Sequence, residues 1–506
     1  MKRFISLTLI LCFLLCSCQL KVDNSISTTE NSGNPITEST FVPLSHDGDA
    51  FMQEDTTALI TQSAVDVLQE STDEESSSYN KFSAVHTSSE TAQSSVQKTS
   101  AKATEKPTVS TTTTTKKQTT TAAKTTTTTK KQTTTAAASQ KEIRGVWLSY
   151  LEFPSAKGKS ESQYRKEANN IFSSLAGFGI NTVFLHARAF SDAFYLSDIF
   201  PTSKYVAGTQ GAALSFDPFK IMLESAKSYG LEVHAWINPF RVSSSADITT
   251  LSKSNPARKI YEAGNEDSQV CILSNGIYYN PASLKAQQLV LDGIKEILAN
   301  YAVAGIHIDD YFYPSTDKSI DSAQYEAYTA SGGKSSLAQW RISTINAFVS
   351  AAYSAVKSYG QNKIFSISPA ADIEKNRNQL YADVKVWLAN EGYADWIIPQ
   401  IYYGFENSSL PFDKTADKWN SLKRHKNVKL ICGLAAYKCG TQDAYAGNGK
   451  SEWLNNSDIL LRQTIYIETH GSYNGIAFFS CNNIINPSNT TMKAEIQGVK
   501  NFYNGD

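Results

Sequence analysis

A run of residues in the middle of the chain ends in two adjacent carboxylates. The segment covers residues 305–314 and reads Gly-Ile-His-Ile-Asp-Asp-Tyr-Phe-Tyr-Pro. Its alternation has the period of a β-strand, which puts the two isoleucines on one face and His307 and Asp309 on the other. A strand that presents acid at its C-terminal end is typical of an active site in an α/β barrel. The alternative is that Asp309 and Asp310 only open a loop or cap a helix.

Two carboxyl groups at such a position could cleave a glycosidic bond. One carboxyl donates a proton to the leaving oxygen, and the other stabilises the oxocarbenium-like transition state, either by direct attack or through a water. Asp309 is the strongest candidate for the second role. The candidates for the acid each follow a predicted strand, and they are Asp310, Asp372 and Glu406.

The elements that must position these carboxylates begin at Glu142. From there, short bursts of aromatic and β-branched residues alternate with amphipathic helical patterns. Strands are predicted at 143–150, 181–189, 232–240, 305–311, 364–371, 396–403, 429–437 and 475–480, and helices at 162–178, 218–229, 281–301, 337–359, 376–390, 416–425, 457–470 and 489–503. This alternation favours a parallel sheet, and the number of strands predicts a closed (β/α)8 TIM barrel of the α/β class. An open doubly wound sheet is the alternative, although no G-x-G-x-x-G follows the first strand.

Polar and aromatic side chains cluster where the predicted strands end. In a barrel these ends surround the active site, so the side chains should meet there. Aromatic rings pack on the apolar faces of a sugar, while amides, carboxylates and cations bind its hydroxyls. The predicted substrate-binding residues are Arg188, Asp192, His234, Trp236, Asn238, His307, Gln400 and Tyr402. Taken singly, each has a structural alternative: a histidine in the core, an aromatic ring in packing, or an arginine in an ion pair.

The sequence predicts neither a cofactor nor a metal ion. The chain has no H-E-x-x-H motif or comparable ligand set, so metal catalysis is not expected. The alternative is a divalent ion held by Asp309 and Asp310 together with His186 or His234. Four cysteines follow Glu142, and their spacing matches no zinc template: Cys271, Cys432, Cys439 and Cys481. We expect buried thiols with at most one disulfide.

The first residues have the pattern of an export signal. A basic start at residues 1–3 is followed by an apolar run to Leu15, which is too short to span a bilayer. Leu-Cys-Ser-Cys at 15–18 resembles the lipobox of bacterial lipoproteins. That resemblance implies a lipoprotein signal peptide at 1–17 and a diacylated Cys18, which would anchor the chain at the extracellular face of the bacterial cell membrane. An ordinary secretory signal is the alternative.

A long polar segment follows the signal. Residues 18–140 are rich in Ser, Thr and Lys, and they contain too few apolar residues to form a core. The stretch at 111–124 is repeated at 125–138 with one change, and neither copy has an apolar face. We predict a disordered linker over 18–140 and one catalytic domain over 141–506. A flexible coil of this length has an end-to-end distance of about 60 Å, so it would lift the domain off a membrane.

Several segments resemble those of a known bacterial family. They are Arg-Gly-Val-Trp at 144–147, Asn-Thr-Val-Phe at 181–184, Ala-Trp-Ile-Asn-Pro at 235–239, residues 305–314 and Pro-Gln-Ile-Tyr at 399–402. They are similar to segments of glycosyl hydrolase-like family 10. The resemblance covers essentially Glu142 to the C-terminus and implies a (β/α)8 barrel, export, and hydrolysis of O-glycosidic bonds. Family members have been linked to cell-wall glycan, including peptidoglycan strands stripped of stem peptides. The fourth strand is also similar to that of α-amylase-type barrels, which supports Asp309 as the nucleophile by analogy.

The expected protein is a lipid-anchored, monomeric glycoside hydrolase. Its partners would be a polysaccharide, of the cell-wall peptidoglycan type, and the membrane that holds Cys18. The formal net charge of −1 gives no indication of nucleic-acid binding. One rival is a non-catalytic glycan-binding lipoprotein with the same barrel and cleft. Another is a wall-anchoring structural protein in which the linker matters and the cleft does not.

Overall fold

The computed structural model describes residues 142–505. The predicted signal peptide, Cys18 and the linker lie outside the described residues. Within them the strands are β1 Ile143–Leu148, β2 Thr182–Arg188, β3 Glu232–Ile237, β4 Arg241–Ser243, β5 Val270–Leu273, β6 Gly276–Tyr279, β7 Gly305–Ile308, β8 Ile364–Ile367, β9 Trp396–Ile397, β10 Lys429–Leu430, β11 Cys432–Ala435 and β12 Gly475–Phe479. The helices are α1 Glu161–Phe178, α2 Lys204–Ala207, α3 Pro218–Ser228, α4 Pro256–Glu262, α5 Leu284–Asn300, α6 Ser322–Ala330, α7 Leu337–Ser358, α8 Ile373–Asn378, α9 Val384–Ala389, α10 Phe412–Asn420, α11 Glu452–Asn455, α12 Ile459–Thr469, α13 Cys481–Ile485 and α14 Thr490–Asn504.

The main sheet is a parallel barrel. Its strand order is β10-β9-β8-β7-β3-β2-β1-β12-β11. A single residue, Ile431, separates β10 from β11, so these two form one interrupted strand that pairs with β9 on one side and with β12 on the other. The N–H of Gly433 donates to the Pro399 carbonyl at 3.0 Å across this junction. A Cβ on Gly433 would lie 2.8 Å from that oxygen, so the close approach requires glycine. The predicted (β/α)8 barrel is confirmed. It has nine strands because β10 and β11 together occupy one of the eight strand positions.

Each predicted strand is present, and most end a few residues earlier than the sequence indicates. Two helix predictions are wrong in their bounds. The helix predicted at 376–390 is two shorter helices, α8 and α9, because the chain turns at Tyr381, whose φ is +53°. The helix predicted at 416–425 is α10, which begins after Pro411 and ends before Ser421.

A small antiparallel sheet inserted after β3 was not predicted from the sequence. It has the order β4-β6-β5. Leu273 pairs with Gly276 across a two-residue turn. Gly276 has a φ of +146°, and a Cβ there would lie 2.3 Å from the Ser243 carbonyl oxygen. The Asn-Gly pair at 275–276 is a sequence signal for such a hairpin. The insertion begins at Arg241, directly after the C-terminal end of a barrel strand.

The core has two parts. Large side chains fill the inside of the barrel, and they include Trp147, Phe184 and Trp396. A second, larger layer packs between the strands and the surrounding helices. Cys432, Cys439 and Cys481 are buried free thiols, and Cys271 is a half-buried one. No helix within the described range is long and apolar enough to cross a bilayer.

Candidate active site

Strand β7 carries Asp309 to the C-terminal end of the barrel. The Asp309 carboxylate is 2% exposed, and its Oδ2 accepts a hydrogen bond from Trp236 Nε1 at 2.9 Å. Trp236 lies opposite His307 in the pairing of β3 with β7. This register brings the indole beside Asp309.

A stacked histidine holds Trp236 in place. The ring of His186 lies 3.4 Å from that of Trp236, with 17° between the planes. His186 Nδ1 accepts from the N–H of Tyr150 at 2.9 Å, so its proton sits on Nε2, which faces Asn238 Oδ1 at 3.3 Å. Burial lowers the pKa of His186 to about 3, so the ring is neutral. Asn238, predicted to bind substrate, is buried and orients this histidine instead.

His307 lies deeper in the barrel and forms part of the floor of the site. Its Nε2 accepts from Trp147 Nε1 and from the Ser368 hydroxyl, each at 3.0 Å. The proton therefore sits on Nδ1, which donates to Ser366 Oγ at 2.9 Å. Burial holds the pKa of His307 well below its ordinary value. His307 is completely buried, so it supports the site from below rather than contacting a bound sugar.

Asp310 lies beside Asp309 and has different partners. Its Oδ1 accepts from Gln400 Nε2 at 3.3 Å, and the same amide nitrogen donates to the Ser368 carbonyl at 2.9 Å. Its Oδ2 is buried and has no hydrogen-bond partner among the described residues. A buried carboxylate oxygen of this kind is available to a ligand or a water.

The two carboxyl groups differ in their preference for a proton. Burial and the neighbouring charge of Asp310 raise the pKa of Asp309 well above its ordinary value. Burial also raises the pKa of Asp310, but the charge of Lys375 and the Gln400 hydrogen bond oppose that rise. Two adjacent buried carboxylates do not both ionise readily, and these surroundings favour the proton on Asp309 over Asp310.

Aromatic rings lie around these carboxylates at the ends of several strands, and all of those named here except the buried Phe190 are half-buried. On one side the guanidinium of Arg241 lies between the rings of Phe190 and Tyr311, at 4.6 and 5.0 Å from their centroids. On the other side Tyr402 contacts the rings of Tyr437 and Phe479, at 6.1 and 5.8 Å. Aromatic rings with a cation and carboxylates between them suit the apolar faces and hydroxyls of a sugar.

Three of the predicted binding residues are not brought together with Asp309. A bulge between His186 and Arg188 reverses the side-chain direction, and the buried Arg188 packs on the ring of Phe200 at 4.7 Å. Asp192 accepts from Gln210 Nε2 at 2.9 Å, and burial raises its pKa to about 6. His234 on β3 pairs with Gly305, which lies two residues before His307 on β7. The side chain of His234 is completely buried.

The other two candidate acids also lie apart from Asp309 in the hydrogen-bond network. Asp372 caps helix α8, where its Oδ1 accepts from the N–H groups of Glu374 and Lys375 at 2.9 and 3.2 Å. Glu406 is exposed on the loop after β9. Among the three candidate acids, Asp310 is the one whose charge acts on Asp309. No group of three or more His, Cys, Asp or Glu side chains is placed to hold a metal ion in the range 142–505.

Sequence reasoning missed two cations and a structural carboxylate. Arg241 directly follows the strand predicted at 232–240, and that position is the signal that could have identified it. Lys375 lies in the first turn of α8, so no strand end marks it. Glu152 fastens the end of β1 to the end of β12, since it accepts from the N–H groups of Ser149 and Asn482 at 2.9 and 2.8 Å and from the Ser480 hydroxyl. These bonds hold the first and last strands together at the rim of the site.

Comparisons with known proteins match the described part of the chain. The family model described as glycosyl hydrolase-like 10 matches residues 142–448. Glycosyl hydrolase YngK of Bacillus subtilis (strain 168) is 33% identical over 322 residues, which cover 59% of this chain and 62% of that protein. Glycosyl hydrolase DigH of Escherichia coli (strain K12) is 27% identical over 351 residues, which cover 63% of this chain and 78% of that protein. The chain thus spans less than two thirds of the Bacillus relative.

Among solved structures, one similar chain is the glycoside hydrolase domain of PgaB (BpsB) from Bordetella bronchiseptica. It matches with a TM-score of 0.48 at 15% identity, and the match covers 71% of this chain and 97% of that one. Another is alpha-L-fucosidase isoenzyme 2 from Paenibacillus thiaminolyticus, with a TM-score of 0.47 at 13% identity over 72% of this chain and 49% of that one.

Proposed function

Since the chain belongs to the glycosyl hydrolase-like 10 family, we propose that it hydrolyses O-glycosidic bonds of a polysaccharide at Asp309 and Asp310. The observation that carries this proposal is the pair itself: two adjacent buried carboxyl groups at the C-terminal end of the barrel, in unequal environments. Such a difference is what separates an acid from a charged partner in glycoside cleavage.

The environments of the two carboxyl groups support an assignment of roles. Asp309, whose pKa is raised well above its ordinary value, donates a proton to the leaving glycosidic oxygen. Asp310 carries the negative charge, which Lys375 and Gln400 favour, and stabilises the positive charge that develops on the sugar, directly or through a water. This assignment exchanges the roles that the sequence suggested, because pattern alone does not reveal which carboxyl group lies beside a cation.

The substrate we propose is a cell-wall glycan of the peptidoglycan type. The aromatic rings at the mouth fit a chain of sugars, and both relatives named above are glycosyl hydrolases by description. The proposed protein is a monomer held at the outer face of the membrane by a diacylated Cys18. Cys18 lies outside the described residues, so this part rests on the lipobox pattern at 15–18.

The test is incubation of the whole chain with purified wall glycans, both intact and stripped of peptides, followed by mass analysis of the products. We expect shortened fragments with new reducing ends. A non-catalytic glycan-binding protein would instead retain the glycan in a pull-down and release no fragments. That outcome would overturn the hydrolase proposal and favour the binding protein.

The Trp236 hydrogen bond should set the pH range of this activity. The indole N–H stabilises the ionised form of Asp309 and so lowers its pKa. Trp236→Phe keeps a ring but removes the donor, so the pKa of Asp309 should rise. Because Asp309 acts in its protonated form, the alkaline limb of kcat/KM should move to higher pH.

Trp147→Phe is the matched control for this experiment. Trp147 donates to His307 and not to Asp309, so its replacement should leave the alkaline limb where it is. If both variants shift the limb equally, or neither does, Asp309 is not the group that the alkaline limb reports.

A further inference from the structure

A basic cavity lies at the opposite end of the barrel from Asp309. Its volume is about 460 Å³, and its lining includes Arg424, His425, Lys426, Lys429 and Asn474. Lys429 is the first residue of β10, and all the barrel strands are parallel. The cavity therefore sits at the N-terminal end of the strands, and a ligand bound there would not compete with a glycan at the mouth.

The Lys and Arg side chains of this cavity have no carboxylate partner within residues 142–505. Residues 423–429 contain four Lys or Arg side chains, and none of these four forms an ion pair with a described carboxylate. The neighbouring acid, Glu391, lies at the rim and faces His425 Nδ1 at 3.6 Å. Elsewhere in the domain a buried cation has a carboxylate partner, since Arg341 forms an ion pair with Asp321 at 2.6 Å.

Arg424 has a buried donor at this end of the barrel that no described residue accepts from. Its Nη2 donates to the Ser472 carbonyl at 2.8 Å, but its Nη1 is buried and has no hydrogen-bond partner among the described residues. Burial lowers the pKa of this guanidinium, which reflects a cation that nearby carboxylates do not compensate. A buried N–H without an acceptor is costly, so a ligand with oxygen acceptors would be stabilised there.

The cavity lies beside the point where the described residues begin. Asn474 lines it, and the Asn474 carbonyl accepts from the N–H of Ile143 at 3.0 Å. A flexible linker of the predicted length would not fix the orientation of the domain, so both a membrane surface and a soluble polymer could reach the cavity.

We propose that the cavity formed by Arg424, Lys426 and Lys429 binds a phosphate group. A phosphate offers several acceptors to a guanidinium and to ammonium groups at once, and the cavity has room for it. The phosphate could belong to a lipid headgroup or to a soluble phosphodiester polymer, and the chemistry of recognition is the same. This site is independent of the hydrolase proposal, because it uses no residue of the cleft.

The test uses the whole chain with Cys18→Ser, so that no acyl chain contributes to binding. Inorganic phosphate is titrated at constant ionic strength, with chloride as the balancing anion, by calorimetry and by the shift in thermal midpoint. We expect binding by the parent chain and at least about tenfold weaker binding by the double variant Lys426→Gln with Lys429→Gln. The matched control, Lys220→Gln with Lys227→Gln, removes two exposed lysines from α3 and should bind like the parent.

Two further arms identify the source of the phosphate. Vesicles of phosphatidylglycerol are compared with vesicles of phosphatidylcholine, and a soluble poly(glycerol phosphate) is titrated in parallel. Retention on the anionic vesicles assigns the site to a lipid headgroup, and binding of the polymer alone assigns it to a phosphodiester polymer. The proposal is overturned if phosphate does not bind, or if both double variants bind it as tightly as the parent.

Discussion

Replacing Asp309 with asparagine is expected to lower the kcat of glycan hydrolysis by about three orders of magnitude, with glycan affinity nearly unchanged. Asparagine keeps the acceptor for Trp236 Nε1 but cannot deliver a proton. The leaving oxygen would then depart without protonation. Asp310→Asn should cost a similar factor, because the charge that stabilises the transition state is lost. Turnover is measured by release of reducing ends, and affinity by calorimetry with the same glycan.

The choice of substrate distinguishes the two roles. An aryl glycoside with an acidic leaving group needs little protonation, so its cleavage by Asp309→Asn should fall far less than cleavage of the natural glycan. Asp310→Asn should lose activity on both substrates. If the aryl glycoside instead rescues Asp310→Asn and not Asp309→Asn, the roles are exchanged, as the sequence first suggested.

Controls come from the carboxylates that the structure places elsewhere. Asp372→Asn keeps a side chain that can cap α8, and Glu406→Gln alters an exposed loop residue. Both variants should keep near-parental kcat. If Glu406→Gln abolishes turnover while Asp309→Asn does not, the assignment of the acid to the buried pair is wrong.

The barrel could be predicted because each strand carries its own signal. Buried parallel strands need continuous β-branched and aromatic runs, and the helices between them need a 3.6-residue period. Both patterns are local, so the elements can be found one at a time. The break between α8 and α9 is harder to predict from the sequence. It depends on a left-handed backbone conformation at Tyr381, where no glycine indicates such a turn.

The site was predicted in part. Trp236 reaches Asp309 and Gln400 reaches Asp310 because strand ends meet, which follows from the fold. Arg188 and Asn238 are predicted to bind substrate because they lie near the ends of predicted strands. A bulge after His186 turns Arg188 away, and a hydrogen bond to a histidine occupies Asn238. Both effects depend on neighbouring strands and leave no local trace in the sequence.

The roles of the carboxylates depend on still longer-range contacts. Lys375 follows β8 and Gln400 follows β9, yet both act on Asp310. Their spacing from residue 310 along the chain contains no information about this arrangement, whereas the closed barrel brings them together. The fold thus brings to Asp310 the two groups that lower its pKa.

Replacing Arg341 with methionine is expected to destabilise the domain by about 3–5 kcal/mol, because it leaves a buried carboxylate without its partner. Arg341 is completely buried on α7, and its Nε and Nη2 donate to both oxygens of Asp321 at 2.8 and 2.6 Å. Its other donors reach the carbonyls of Thr316 and Asp317 and the hydroxyl of Tyr381, at 3.0, 2.6 and 3.0 Å. One side chain therefore holds the loop that follows Asp310.

The free energy of unfolding is measured by denaturant titration of the whole chain. Arg165→Met is the matched control, because Arg165 pairs on the surface with Glu161 and Glu224, and such exposed pairs contribute about 1 kcal/mol or less. At temperatures where Arg341→Met remains folded, its kcat should also fall, since the loosened loop begins at Tyr311 beside the catalytic pair. If both variants lose the same stability, the Arg341 network does not hold the loop, and the rigid placement of Asp309 and Asp310 must come from the barrel strands alone.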